Sequence, residues 1–294
     1  MIGLSAVVQA ARDRAFPQST AAGDVLYVRS GEMMQKAALS YDALLADVYW
    51  IRAIQHYGRE RLKPQSEAKF ELLYPLLDIA TTLDPQFVTG YRFGAIFLSE
   101  AHPGGAGRPD LAIALLKKGI ARNPDKWDYY HDVGFIYYWS LHDYTQAAEW
   151  FTRGGERLGA PWWLKTYAAV MLTRGGDRRA SRAMWEQIGR NDGNDWLRRA
   201  AERRLAQLDA LDQIDALNRN VAEFGRVAGR PPSSWEQMIA AGLLRGIPVD
   251  PGGTPYTLNS STGDVSVAAW STLRPLPTEP KAAPELRAPV SPKP

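Results

Sequence analysis

The sequence predicts a mainly α-helical chain: paired helices stacked as an α-solenoid, followed by a small α+β module of one helix and a β-hairpin. Three observations predict it. Between Pro85 and Pro161 two stretches repeat one layout of small, aromatic and proline residues. On both sides of them apolar residues recur with the period of about 3.6 expected of a one-sided helix. Past Gly229 that period stops, Gly and Pro accumulate, and two short β-prone runs flank a polar turn.

The chain opens on a short, mostly apolar stretch, Met1 to Ala11, followed by Arg12, Asp13 and Arg14. It lacks the leading charge and the length of a secretory signal. It reads either as an amphipathic start or as what remains of an export or anchor segment. Asp24 to Ser30 alternates like a short strand or extended arm, and Gly31 breaks it. Tyr41 to Tyr57 is an amphipathic helix whose apolar face is marked by Leu44, Leu45, Val48, Ile51 and Ile54. Tyr49 and Trp50 read as wedges against the next helix. Gly58 closes it, Arg59 to Ser66 connects, and Glu67 to Leu83 is the return helix.

Two well-formed units follow. In the first, Phe93-Gly94 and Phe97 sit on one helix, and Ala112, Leu116 and Gly119 sit on the next, with Pro124 after it. The second reads Val133-Gly134, Tyr137, then Ala147, Phe151 and Gly154, with Pro161 after it. Leu73, Leu77, Ala80 and Pro85 fit an earlier unit. Ala168-Ala169, Leu172, Ala180 and Met184 fit a later, degenerate one. A small residue at a crossing lets two helices approach closely, and the aromatic fills the gap beside it. Proline lacks the backbone donor and so ends one helix or starts the next. A single pair cannot bury its apolar face, so pairs stack. Ala101 to Asp110, rich in Gly and Pro, reads as an extended turn within a unit; it has neither the strand nor the Lys-Ser/Thr that a phosphate loop needs.

This pattern, A-x3-L-x2-G-x4-P in its second half, resembles the tetratricopeptide repeat (TPR). From Asp24 to Leu208, phrases such as LLYPLLDIATTLDPQF and DVGFIYYWSLHDYTQAAEWF are similar to bacterial TPR proteins of unknown biochemical role. The resemblance implies a right-handed α-solenoid of about four pairs. It also implies a place in the cell envelope, on the periplasmic side, with the cytoplasm as the alternative.

Asp195 to Phe224 is a long charged helix with an apolar stripe at Leu205, Leu208, Leu211, Ile214, Leu217, Val221 and Phe224. Arg198, Arg199, Arg203 and Arg204 lie on its first half and read as a solvated face. Gly229 to Pro232 breaks it. Ser233 to Ala241 is a short helix that a serine can cap, and Ser260 to Asp264 is the turn of a hairpin between Thr257-Leu258 and Val265-Ser266-Val267. Pro248, Asp250, Pro251, Gly253, Pro255 and Tyr256 form a phrase that resembles the globular end of type II secretion major pseudopilins. Gly252 stands where an aromatic is usual, and the assembly helix of a pilin is absent from this module. Some pseudopilins bind calcium near this hairpin, which makes Asp250 and Asp264 the carboxylates to weigh. Two are too few for a cation that takes six or more oxygens. From Pro275 the chain is Pro-rich and reads as an extended tail.

Composition excludes several functions. The chain of 294 residues has a net charge of +3 and no Lys/Arg-rich run, which argues against nucleic acid. It has no cysteine, so disulfides, thiolate metal sites and cysteine nucleophiles are ruled out. Its four histidines have no ligand spacing, and no serine, dinucleotide or phosphate-loop motif occurs. No cofactor is expected. A distant carboxylate pair is the one hydrolase arrangement that a single sequence leaves open.

The sequence therefore predicts four regions: an N-terminal arm over 1–38, helical repeats over 39–206, a long helix and α+β module over 207–272, and a tail over 273–294. The expected role is a non-catalytic scaffold that holds a protein or peptide, with membrane association through the N-terminus as an option. The alternatives are a subunit packed permanently in a larger complex, and a hydrolase. Taking Gly94, Gly134 and Ala169 as the register, a groove along the first helix of each pair is expected to be lined by Tyr91, Leu98, Asp128, His131, Tyr138, Trp139, Trp163 and Arg174.

Overall fold

The computed structural model describes residues 31–190 and 194–280. The apolar start at 1–11, the arm at 24–30 and the tail beyond 280 lie outside the described residues. The described chain is mainly helical, with one small antiparallel sheet of two strands. It divides into two compact units. The first comprises 31–142 with 156–160, and the second 143–155 with the described residues from 161 onward.

The first unit contains α1 (Gly31–Ala37), α2 (Asp42–Arg61), α3 (Leu73–Leu83), α4 (Val88–Ser99), α5 (Pro109–Arg122) and α6 (Trp127–Trp139). Each helix packs on the next from α2 to α6, and alternate helices also meet, α3 with α5 and α4 with α6. Small residues make these approaches feasible. A Cβ on Gly94 would lie 2.9 Å from Leu77 Cδ2 and 3.0 Å from Leu115 Cδ2, both in the core. One on Gly119 would meet the rings of Tyr91 and Tyr129 at 3.0 and 3.2 Å. Phe97 fills the adjoining gap: it stacks on Tyr57 at 4.1 Å and on Trp50 at 6.0 Å.

Polar contacts lock the helices in place. The Lys118 ammonium donates to the Asp78 carboxylate and carbonyl and to the hydroxyls of Thr81 and Thr82, tying α5 to α3. The loop at 101–110 folds back on the end of α4. There the N–H groups of Ala106, Gly107 and Arg108 satisfy the carbonyls of Phe97, Glu100 and Leu98, which a helix end otherwise leaves open.

The face of α2 that packs is not the one its apolar periodicity marks. Leu44, Val48, Ile51 and Ile54 are exposed, whereas Ala46, Tyr49, Ala53 and Tyr57 are buried. The two alanines permit close helix approach and the two tyrosines supply the area, so this second, less aliphatic face makes the better crossing.

The second unit contains α7 (Tyr144–Gly155), α8 (Trp163–Arg174), α9 (Arg178–Gly189), α10 (Asp195–Ala228), α11 (Trp235–Ala240), β1 (Thr257–Leu258) and β2 (Val265–Ser266). Helices α7 to α10 pack in succession. Ala169, Trp185, Ile188, Leu197, Ala201 and Leu208 form one buried cluster. A second joins Leu217 and Val221 to Trp235, Met238, Tyr256 and Val265. Helix α10 contributes to both, so the boundary drawn at 206/207 falls inside it. The Asn194 side chain caps its start by accepting from Trp196 and Leu197, and Gly229, at φ 71°, ends it in the left-handed conformation.

Three details of the second unit differ from expectation. No serine side chain caps α11; instead the Gln237 side chain accepts from the N–H of Ser233, the residue before the N-cap. The hairpin pairs Thr257 with Ser266 and Leu258 with Val265, as its turn predicts, yet its strands are only two residues long. The Pro-rich segment is not a free tail between 273 and 280. Gln207 donates to the carbonyls of Leu273 and Pro275, and Arg178 forms a two-pronged pair with Glu279. Leu273 itself is buried.

Candidate partner-binding groove

A cavity of about 1000 Å³ opens on the first unit between α4, α6 and the loop before α5. Counted from Gly94 on α4 and Gly134 on α6, the two helices offer the same positions to it. Two before the glycine stand Arg92 and Asp132. One and two after it stand Ala95-Ile96 and Phe135-Ile136, and five after it Ser99 and Trp139. Ile96 is 55% exposed, Phe135 45% and Trp139 65%. Phe135 and Trp139 stack at 6.2 Å, and Tyr138 stands edge-on to both.

Charged groups close the two ends. At one, Arg92 holds Asp132 through two bonds of 2.6 and 3.1 Å and reaches Asp128 at 3.3 Å. His131 Nδ1 lies 2.9 Å from the same Asp132 carboxylate. Its bond to Asp132 raises the Arg92 pKa above its already high ordinary value, against the opposing effect of burial, so Arg92 stays charged. At the other end Glu100 accepts from Tyr57 at 2.5 Å and pairs with Arg61 at 3.2 Å. Burial first, and then the bond to Glu100, push the Tyr57 phenol up to about 12.

No family model matches the chain. No curated protein or solved structure matches it either.

The groove gathers part of the expected lining. His131 and Trp139 face it, Asp128 belongs to its charged end, and Tyr138 flanks its aromatic wall. Tyr91 and Leu98 do not line it; both are fully buried in the core. The Tyr91 ring lies 5.4 Å from that of Tyr129, and its hydroxyl donates to the Thr81 carbonyl. The face of α4 beside Gly94 that carries Tyr91 and Leu98 turns inward, and the open face begins one residue later. Trp163 and Arg174 stand on α8 in the second unit, outside this groove. Sequence reasoning missed Arg92, Ile96, Asp132 and Phe135. The available signal was the pairing of Arg92 with Asp132 and of Ile96 with Ile136 at matched repeat positions.

The carboxylates that stood out in the C-terminal module are turn clamps. Asp250 accepts from the N–H groups of Gly252 and Thr254 and from the Ser271 hydroxyl, and Asp264 accepts from the Thr262 hydroxyl. Among the described residues no group of three or more His, Asp or Glu side chains stands together as a metal would require. No helix among them is long and apolar enough to cross a membrane.

Proposed function

We propose that the chain is a non-catalytic scaffold whose first unit grips a protein segment in the groove between α4 and α6. The observation that carries this reading is the row Ile96, Phe135 and Trp139, large apolar side chains left open between two charged ends. Such a surface suits an extended or helical peptide: aromatic anchors supply the affinity, and the fixed charges supply register. The helix pairs would belong to a TPR-like right-handed α-solenoid. With the pseudopilin-like phrase after Ile247, the reading extends to an envelope assembly of the secretion or pilus type.

The test uses the full chain and its Phe135→Ala/Trp139→Ala double variant as baits in a bacterial envelope extract. Both side chains are substantially exposed, so the double variant keeps its fold. A partner retained by the wild type and lost by the variant is the expected result. A partner that both retain equally, or none that recurs, removes the groove from the function.

A second reading, a subunit packed permanently into a larger complex, is favoured by the exposed row Leu44, Val48 and Ile51 on α2, with Tyr41 just before it. Size measurement separates the two, because a monomer that stays soluble at high concentration fits the scaffold alone.

A further inference from the structure

The second unit contains a cavity of about 630 Å³ between α8, α9 and the first turns of α10. That volume lies within the ~300–1,000 Å³ usual for small-molecule sites. One wall is aromatic. Trp162 and Trp196 meet edge to face at 5.4 Å and are 46% and 59% exposed, and Trp163 leans on Tyr167 at 5.3 Å. The other wall is basic, with Arg199, Arg203 and Arg204. Residues 196, 199 and 203 fall on one helix face, so the indole of Trp196 and two guanidiniums share a side.

Among the described residues the lining contains no acidic side chain. Arg199 has no hydrogen-bond or ion-pair partner among the described residues, Arg203 donates only to the Thr272 and Arg274 carbonyls, and Arg204 donates to the Gln207 side chain. Several arginines elsewhere on these helices are paired with carboxylates. Arg178 reaches Asp212, Asp215 and Glu279, Arg182 reaches Asp209 and Asp212, and Arg198 reaches Asp195. Among the described residues, these carboxylates are thus engaged away from the cavity. Burial, and then the neighbouring charge of Arg203, lower the Arg204 pKa, as happens when cations crowd together without a counter-ion.

We propose that this cavity is a binding site for a small amphipathic oxyanion, a phosphate or carboxylate joined to an aromatic or apolar body. The guanidinium fork matches either oxyanion in a bidentate way. The tryptophans offer flat faces on which the body lies, as they do for stacked bases and rings. A cation is excluded by three like charges, and a neutral apolar ligand would leave them unmatched. The site is separate from the groove of the first unit and does not depend on what that groove holds.

Calorimetry on the full chain tests it with two matched pairs: adenosine monophosphate against adenosine, and N-acetylphenylalanine against its amide. In at least one pair the charged member binds about tenfold more tightly than its neutral twin, and the pair that shows this names the oxyanion. Arg199 is exposed, so Arg199→Ala leaves the fold intact, which circular dichroism checks. That variant loses about tenfold in affinity for the preferred anion. Arg219→Ala, on the same helix but outside the cavity, leaves affinity within about twofold. If neither anion outbinds its twin, or if Arg199→Ala behaves as Arg219→Ala does, the site is not an oxyanion site.

Discussion

Gly58 and Gly119 both sit inside helices, yet alanine should act on them in opposite directions. Gly58 does not close α2, which runs on to Arg61. Alanine favours a helix over glycine by about 1 kcal/mol. At Gly58 nothing lies within 4 Å of the added Cβ, so Gly58→Ala stabilises the chain by up to that amount. At Gly119 the methyl would press on the rings of Tyr91 and Tyr129, which are buried and cannot swing aside. Overpacking of this kind costs about 1–3 kcal/mol, so Gly119→Ala loses about 1 kcal/mol net. Thermal melts of the two variants should move apart; a Gly119→Ala chain as stable as the wild type would show that this crossing is loose. The sequence made Gly119 legible because its spacing from Ala112 and Leu116 repeats. It did not reveal that Tyr91 is the ring Gly119 admits, which is why Tyr91 was expected in the groove.

At the scale of elements, α2 carries apolar residues on two faces, and only one can be turned to the core. Leu44→Lys/Ile51→Lys should leave thermal stability within about 0.5 kcal/mol, because both sites are exposed. The same variant should lower concentration-dependent association, measured by light scattering. A large fall in melting temperature would mean that this stripe is part of the packing. Periodicity located the helix but could not choose its face, since Tyr49 and Tyr57 count as apolar beside the aliphatic row. The end of α10 was more legible because one residue fixes it, Gly229, whereas α5 starts at Pro109, inside the stretch that reads as a turn. The strap at 273–280 was not legible at all. Its hold comes from Gln207 and Arg178, distant in sequence and ordinary in composition. The groove was half legible. Its helices and two lining residues followed from the repeat, whereas the rotation of α4 depended on packing that only the fold supplies.

For the whole molecule, buried tyrosines set the alkaline limit. Burial leads the causes that push Tyr57, Tyr91 and Tyr129 in the first unit up to about 12, and it raises Tyr256 in the second as well. An unfolded phenol ionises at its ordinary value of 10.0. A raised folded value therefore contributes stability in full below 10, and that contribution falls away as pH climbs toward 12. Phenolate absorbance from these residues should appear together with the loss of helical signal, late in the titration. The Tyr129 hydroxyl is buried without a hydrogen-bond partner among the described residues, so Tyr129→Phe should cost little at neutral pH and move the alkaline midpoint upward. Early, independent ionisation of all four phenols would contradict this.

Helix α10 runs unbroken for 34 residues, about 50 Å at 1.5 Å per residue, and shares side chains with two separate clusters. A rod of that kind has no joint in which to absorb strain. A pull on the hairpin module would be delivered as torque to Trp185 and Leu197 at the far end, so load borne at one extremity of the second unit is felt as stress at the other.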